Sequence, residues 1–77
     1  MPTYFFQTTD NSGPTALDRG FDFTDDKAAQ EEGRRLLVEM AKDSFPGPPM
    51  DMLAVEIFDA EHKPILEIRL VLEVIPK

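Results

Sequence analysis

Hydrophobic and polar positions switch period along this chain, and each switch marks an element. Residues 3–9 set Tyr4, Phe5 and Phe6 beside Thr3, Thr8 and Thr9, aromatic and β-branched types that suit a pleated surface, and predict a first strand. Asp10, Asn11, Ser12, Gly13 and Pro14 follow, residues that favour turns through side-chain capping, positive φ or a fixed φ. Phe21 and Phe23 then alternate with Gly20 and Asp22 as a short second strand over 20–23. Thr24 stands before Asp25 and Asp26, so its hydroxyl is expected to cap a helix whose positive end meets the two carboxylates. Ala29, Gly33, Leu36, Leu37 and Met40 recur at helical spacing and predict one helix over 25–44 with a single buried face. Glu31 is placed four residues before Arg35 for a weak stabilising pair. Pro46, Pro48 and Pro49 end the helix, because proline lacks the N–H and restricts the residue before it. Two apolar runs over 52–59 and 64–75, joined through Ala60, Glu61, His62 and Lys63, read as a hairpin.

These elements predict an α+β fold, a single helix packed on one face of a four-stranded, mainly antiparallel sheet in the order ββαββ. The 77 residues make one domain over 1–77. The expected core contains Leu36, Leu37, Met40, Leu66, Ile68, Leu70 and Leu72, since Leu66, Ile68, Leu70, Leu72 and Val74 mark one face of the last strand. A domain of this size buries only about 60% of the surface that its unfolded chain exposes, which leaves a net stability of about 3–5 kcal/mol. With no cysteine there is no disulfide to add to it, so the expected help is efficient packing or a second subunit.

Charge changes the picture next. Fifteen acidic against eight basic residues leave a net charge of −7, which repels phosphate backbones and acidic lipid, so neither nucleic acid nor a membrane is expected as a partner. No segment reaches the length of an apolar membrane span and the first residues lack a signal-peptide pattern, from which a cytoplasmic location is expected. Arg34 and Arg35 are diluted by Glu31, Glu32 and Glu39 and read as a solvated helix face.

Candidate chemistry is sparse. The one histidine, His62, lacks a second histidine or cysteine and sits in a hairpin turn, where a residue of positive φ is wanted. Asp18, Asp22, Asp25 and Asp26 cluster in sequence, but their spacing does not match a calcium loop, and Asp25 and Asp26 are accounted for by the helix start. Ser12 and Ser44 have no glycine elbow around them, and Gly13 and Gly20 form no phosphate-binding loop. No catalytic residue, metal ligand or cofactor site is expected, and the chain reads as a non-enzyme.

The opening Met1-Pro2-Thr3-Tyr4-Phe5-Phe6, Asp18 and Gly20, Asp25 and Asp26 followed by Ala28 and Ala29, and the hairpin from Val55 to Leu66 resemble the family of short bacterial proteins known as domain of unknown function 6894. The likeness covers nearly the whole chain. It implies the fold and brings no substrate, cofactor or catalytic residue. Gly33 and His62 stand where that family tends to show alanine and glycine. The strand, turn and helix at the start also resemble, at the level of fold alone, the N-terminal part of antitoxins of the HicB type.

Self-association is the function expected first. One helix covers one side of the sheet, and the other side is not uniformly polar: Ile65, Val71 and Ile75 share the phase of Glu67, Arg69 and Glu73, Phe58 lies opposite in phase to Val55 and Ile57, and on the first strand either Phe5 or the pair Tyr4 and Phe6 must point away from the helix. Phe5, Phe58, Ile65, Val71 and Ile75 are the expected interface of a homodimer. The alternative is an antitoxin-like or regulatory protein whose acidic surface binds a basic protein.

Overall fold

The computed structural model describes residues 1–10, 13–15, 20–43 and 51–77. Asn11, Ser12, Asp18, Ser44 and the prolines at 46, 48 and 49 lie outside the described residues. The elements run β1 (Thr3–Asp10), β2 (Gly13–Pro14), β3 (Gly20–Asp22), α1 (Asp26–Asp43), β4 (Met52–Phe58) and β5 (Pro64–Val71). Every pairing is antiparallel. β4 lies between β1 and β5, while β2 and β3 share the other edge of β1, one at each end of it. This is the expected α+β arrangement of one helix on a sheet, with a fifth strand added. β2 is only two residues long. It forms because Gly13, at φ 94°, turns the chain back after Asp10, so that the Thr15 N–H reaches the Thr8 carbonyl at 2.9 Å.

Directly opposite residues of antiparallel strands share a face, and the registers therefore sort the side chains. Phe6 faces Ile57, Thr8 faces Val55, Ile57 faces Leu66 and Val55 faces Ile68, all on the side of α1. Tyr4, Leu53, Val55 and Ile57 are buried there against Ala29 and Leu37, with Phe6, Phe23, Leu36, Met40, Leu66 and Ile68 packed around them. Burial of side chains such as Leu53, Val55 and Ile57 stabilises by about 1.5–3 kcal/mol each. Leu70 and Leu72 share this face but are not core: they are 37% and 50% exposed. α1 packs chiefly on β4 and only flanks β5, so among the described residues no helix or strand covers the far end of β5 on this face. The strand also stops at Val71 rather than 75, because its partner Met52 is the first residue of β4.

The helix starts one residue later than its threonine suggests. Asp25, not Thr24, is the cap: its Oδ1 accepts the Ala28 N–H at 2.9 Å, the bond that an N-cap side chain makes to the third helical residue. On the exposed side, Arg35 pairs through two nitrogens with Glu32, at 3.0 and 2.6 Å, rather than with Glu31. That pair holds the Glu32 carboxyl below its ordinary range and raises the guanidinium, the hydrogen bonds being the main cause of both shifts.

Gly33 sets the spacing between the layers. A Cβ built on it would lie 3.0 Å from Ile57 Cδ1 and 3.1 Å from Ile68 Cδ1, so the helix backbone rests directly on the sheet. Gly33→Ala is expected to leave thermal stability within about 1 kcal/mol of wild type, since the gain in helix propensity offsets the push on two isoleucine ends. Gly33→Val, which adds branches with nowhere to go, should destabilise by about 2 kcal/mol in chemical denaturation. A valine variant as stable as the parent would show that the layers can separate freely.

Candidate functional site

The face turned away from α1 is built in rows across β1, β4 and β5. Phe5 faces Phe58 on β4 and Gly20 on β3, Gln7 faces Glu56 and then Glu67, and Thr9 faces Ala54 and then Arg69. The last row is Met52 and Val71. The middle rows are polar, and Glu67 is paired with Arg69 along the same strand. Thr3 donates its hydroxyl to Asp22 Oδ1 at 2.7 Å at the rim.

Of the residues expected at an interface, Phe5 and Phe58 lie opposite each other at one end of this face. Phe58 is buried, at 9% exposure, and Phe5 is half-buried beneath the ring of His62, with centroids 4.2 Å apart. Ile65 is exposed and falls at the irregularity of the ladder, between the pairs Ile57–Leu66 and Phe58–Pro64. Val71 lies in the row at the opposite end, about 20 Å along the strand at the usual rise per residue, with Glu67 and Arg69 between. Ile75 is beyond the end of β5. Most of the exposed large apolar side chains follow a strand instead of filling a face: Ile65, Leu70 and Val71 on β5, and Leu72, Val74 and Ile75 just after it, with Met1, Phe21 and Val38 exposed elsewhere.

β5 is the edge of the sheet. Among the described residues no strand pairs with its outer side. Sequence pattern alone missed this feature, because it assigned Leu70 and Leu72 to the core. The signal that would have found it is length: an apolar run over 64–75 is longer than one helix lying over a neighbouring strand can cover.

His62 occupies the place foreseen for it, with φ 64°. Its N–H bonds to the Asp59 carbonyl at 2.9 Å, and the Asp59 carboxylate accepts the N–H groups of Glu61 and Lys63, each at 2.9 Å. The Asp59 carboxylate is thus engaged in building the turn. Asp22 and Asp25 are likewise engaged, by Thr3 and by the Ala28 N–H. Among the described residues, no three His, Asp or Glu side chains converge as a metal would require.

Tyr4 is buried, and its hydroxyl donates to Asp26 Oδ1 at 2.6 Å, joining β1 to the first turn of α1. That hydrogen bond, then burial, then the charges of Asp26 and Asp25 push the phenol up to about 12. Neutral tyrosine is thus favoured by the fold relative to an unfolded value near 10. Its contribution is complete below pH about 10 and is lost as pH rises through about 12. Because Tyr4 is the single tyrosine, tyrosinate absorbance titrates it alone. The absorbance midpoint is expected near 12, and Tyr4→Phe should flatten the alkaline loss of stability between the two values; a midpoint at 10 in the folded protein would show that the Asp26 bond is not made.

Two effects oppose each other at His62. Glycine would relieve the positive φ but remove the ring from Phe5, each an effect of about 1 kcal/mol, so His62→Gly should leave the melting temperature nearly unchanged. His62→Ala keeps the strain and loses the stack, and is expected to destabilise by about 1–2 kcal/mol. Equal melting temperatures for the two variants would remove the backbone argument.

Among the described residues, no helix is long and apolar enough to cross a membrane. No curated protein and no solved structure matches the chain. A family model does match, over residues 3–71, from the first residue of β1 to the last residue of β5. The sheet and helix described above are thus the whole of what that model spans, and the chain belongs to DUF6894, a domain of unknown function.

Proposed function

We propose that this protein is a non-enzymatic interaction module that associates with a second copy of itself through β5. The observation that carries the reading is the open edge of β5 flanked by apolar side chains left in water, Val71 at 55% and Leu72 at 50% exposure among them. An edge of this kind invites a further strand: Pro64 and the irregularity at Ile65 guard only its first residues, and the stretch from Leu66 to Val71 is left open among the described residues. Polar side chains elsewhere serve the fold: Tyr4 and Asp26 tie the layers, Asp25 caps, and Asp59 builds the turn. A domain this small also gains from a partner the burial that its own core lacks. The surplus of acidic residues supports a second reading, in which the same module covers a basic protein.

Light scattering at tens of micromolar is the test. The expected mass is that of two copies of the 8.7 kDa chain, with Val71→Glu shifting it to one copy. A wild-type mass of 8.7 kDa across that range would overturn self-association.

A further inference from the structure

We infer that the second copy pairs antiparallel along β5 about a two-fold axis through Ile68, which sets Glu67 of each copy opposite Arg69 of the other. This rests on the self-association proposed above and adds the surface and the register. Leu72 donates its N–H to the Asp51 carbonyl at 2.9 Å, so it points inward to β4. By alternation Leu70 and Ile68 do the same, and Glu67, Arg69 and Val71 turn their backbone N–H and C=O groups to the free edge. Two such edges bond only when odd-numbered residues oppose odd-numbered ones.

Charge selects among the registers that satisfy this rule. An axis at position 67 opposes Glu67 to itself, one at 69 opposes Arg69 to itself, and one at 66 sets Arg69 against Lys63. An axis at 70 sets Glu67 against Glu73. One at 71 does pair Arg69 with Glu73, but it relies on residues beyond the end of β5 and leaves Glu67 facing Ile75. The axis at Ile68 pairs opposite charges on both sides of the two-fold and uses the strand from end to end. It also joins the apolar positions. Leu66 meets Leu70 of the second copy on the helix side, and Ile65 falls at the register position of its Val71, so four of the exposed or half-exposed apolar residues of β5 gain apolar neighbours. Both helices then lie on the same face of one continuous sheet.

Paired charge variants test the register separately from dimerisation. Glu67→Arg alone opposes Arg to Arg, and Arg69→Glu alone opposes Glu to Glu; each should raise the dimer dissociation constant on the order of tenfold. Mixing the two variants in equal amounts restores opposite charges at both positions of the heterodimer, although each chain still carries like charges along its own strand. Native mass spectrometry of the mixture should therefore show mainly heterodimer, with a dissociation constant near that of wild type. If either charge variant fails to fold by circular dichroism, Glu67→Cys mixed with Arg69→Cys should cross-link as a heterodimer under mild oxidation, in a chain with no other cysteine. A monomeric wild type overturns both the self-association and the register. A dimer whose single variants are unaffected, or whose mixture or cysteine pair shows no preference for the heterodimer, overturns the register alone.

Discussion

The closeness of α1 to the sheet at Gly33 is the constraint from which the rest of this structure follows. With no side chain at that point, the helix axis is drawn down onto Ile57 and Ile68, and Ala29 and Leu37, one turn to either side, become the buried residues of the same stripe. The intrinsic cost of glycine in a helix, about 1 kcal/mol, is offset by the tighter layer that it permits. Tyr4 and Asp26 then anchor the helix start over β1. Held at those points, α1 lies along β4, and whatever it does not reach on β5 stays in water.

That placement explains which parts of the fold could be read in advance. The helical stripe and the strand alternation sort residues into faces, and those of the last strand were legible: Leu66 and Ile68 do point to the helix, while on β1 alternation separated Phe5 from Tyr4 and Phe6 and register decided which set faces it. What alternation cannot report is coverage. Leu70 and Leu72 carry the same phase as Ile68, yet they differ from it because the helix lies over a neighbouring strand. Choices between near-equivalent residues were also beyond pattern. Thr24 and Asp25 are both good caps, and Glu31 and Glu32 both lie within reach of Arg35; geometry alone picks the second of each pair. β2 is too short to have a period at all.

The candidate interface shows the same division. The registers set Phe5, Phe58 and Val71 on a common face, but alternation did not report their neighbours or the irregularity at Ile65. Register separates Val71 from the aromatic end and places the Glu67 and Arg69 side chains between, while His62, held at positive φ by its turn, shields Phe5. The lone histidine was legible as a turn residue. Its stack on Phe5 was not, because that contact depends on β1 lying beside the hairpin, a long-range pairing.

The position of β1 has a consequence for the order in which the chain acquires structure. β4 and β5 are joined by a short turn that Asp59 stabilises locally, so this hairpin closes at little entropic cost. β1 is the first strand to be synthesised, yet its main partner is β4, and Phe6 must find Ile57 across more than half of the chain. Tyr4 and Phe6 find part of their apolar cover nearby in Phe21 and Phe23, but the rest comes only with the distant β4. The pairing of β1 with β4 is thus a contact of high sequence separation, the kind that slows folding, whereas the β4–β5 hairpin is local.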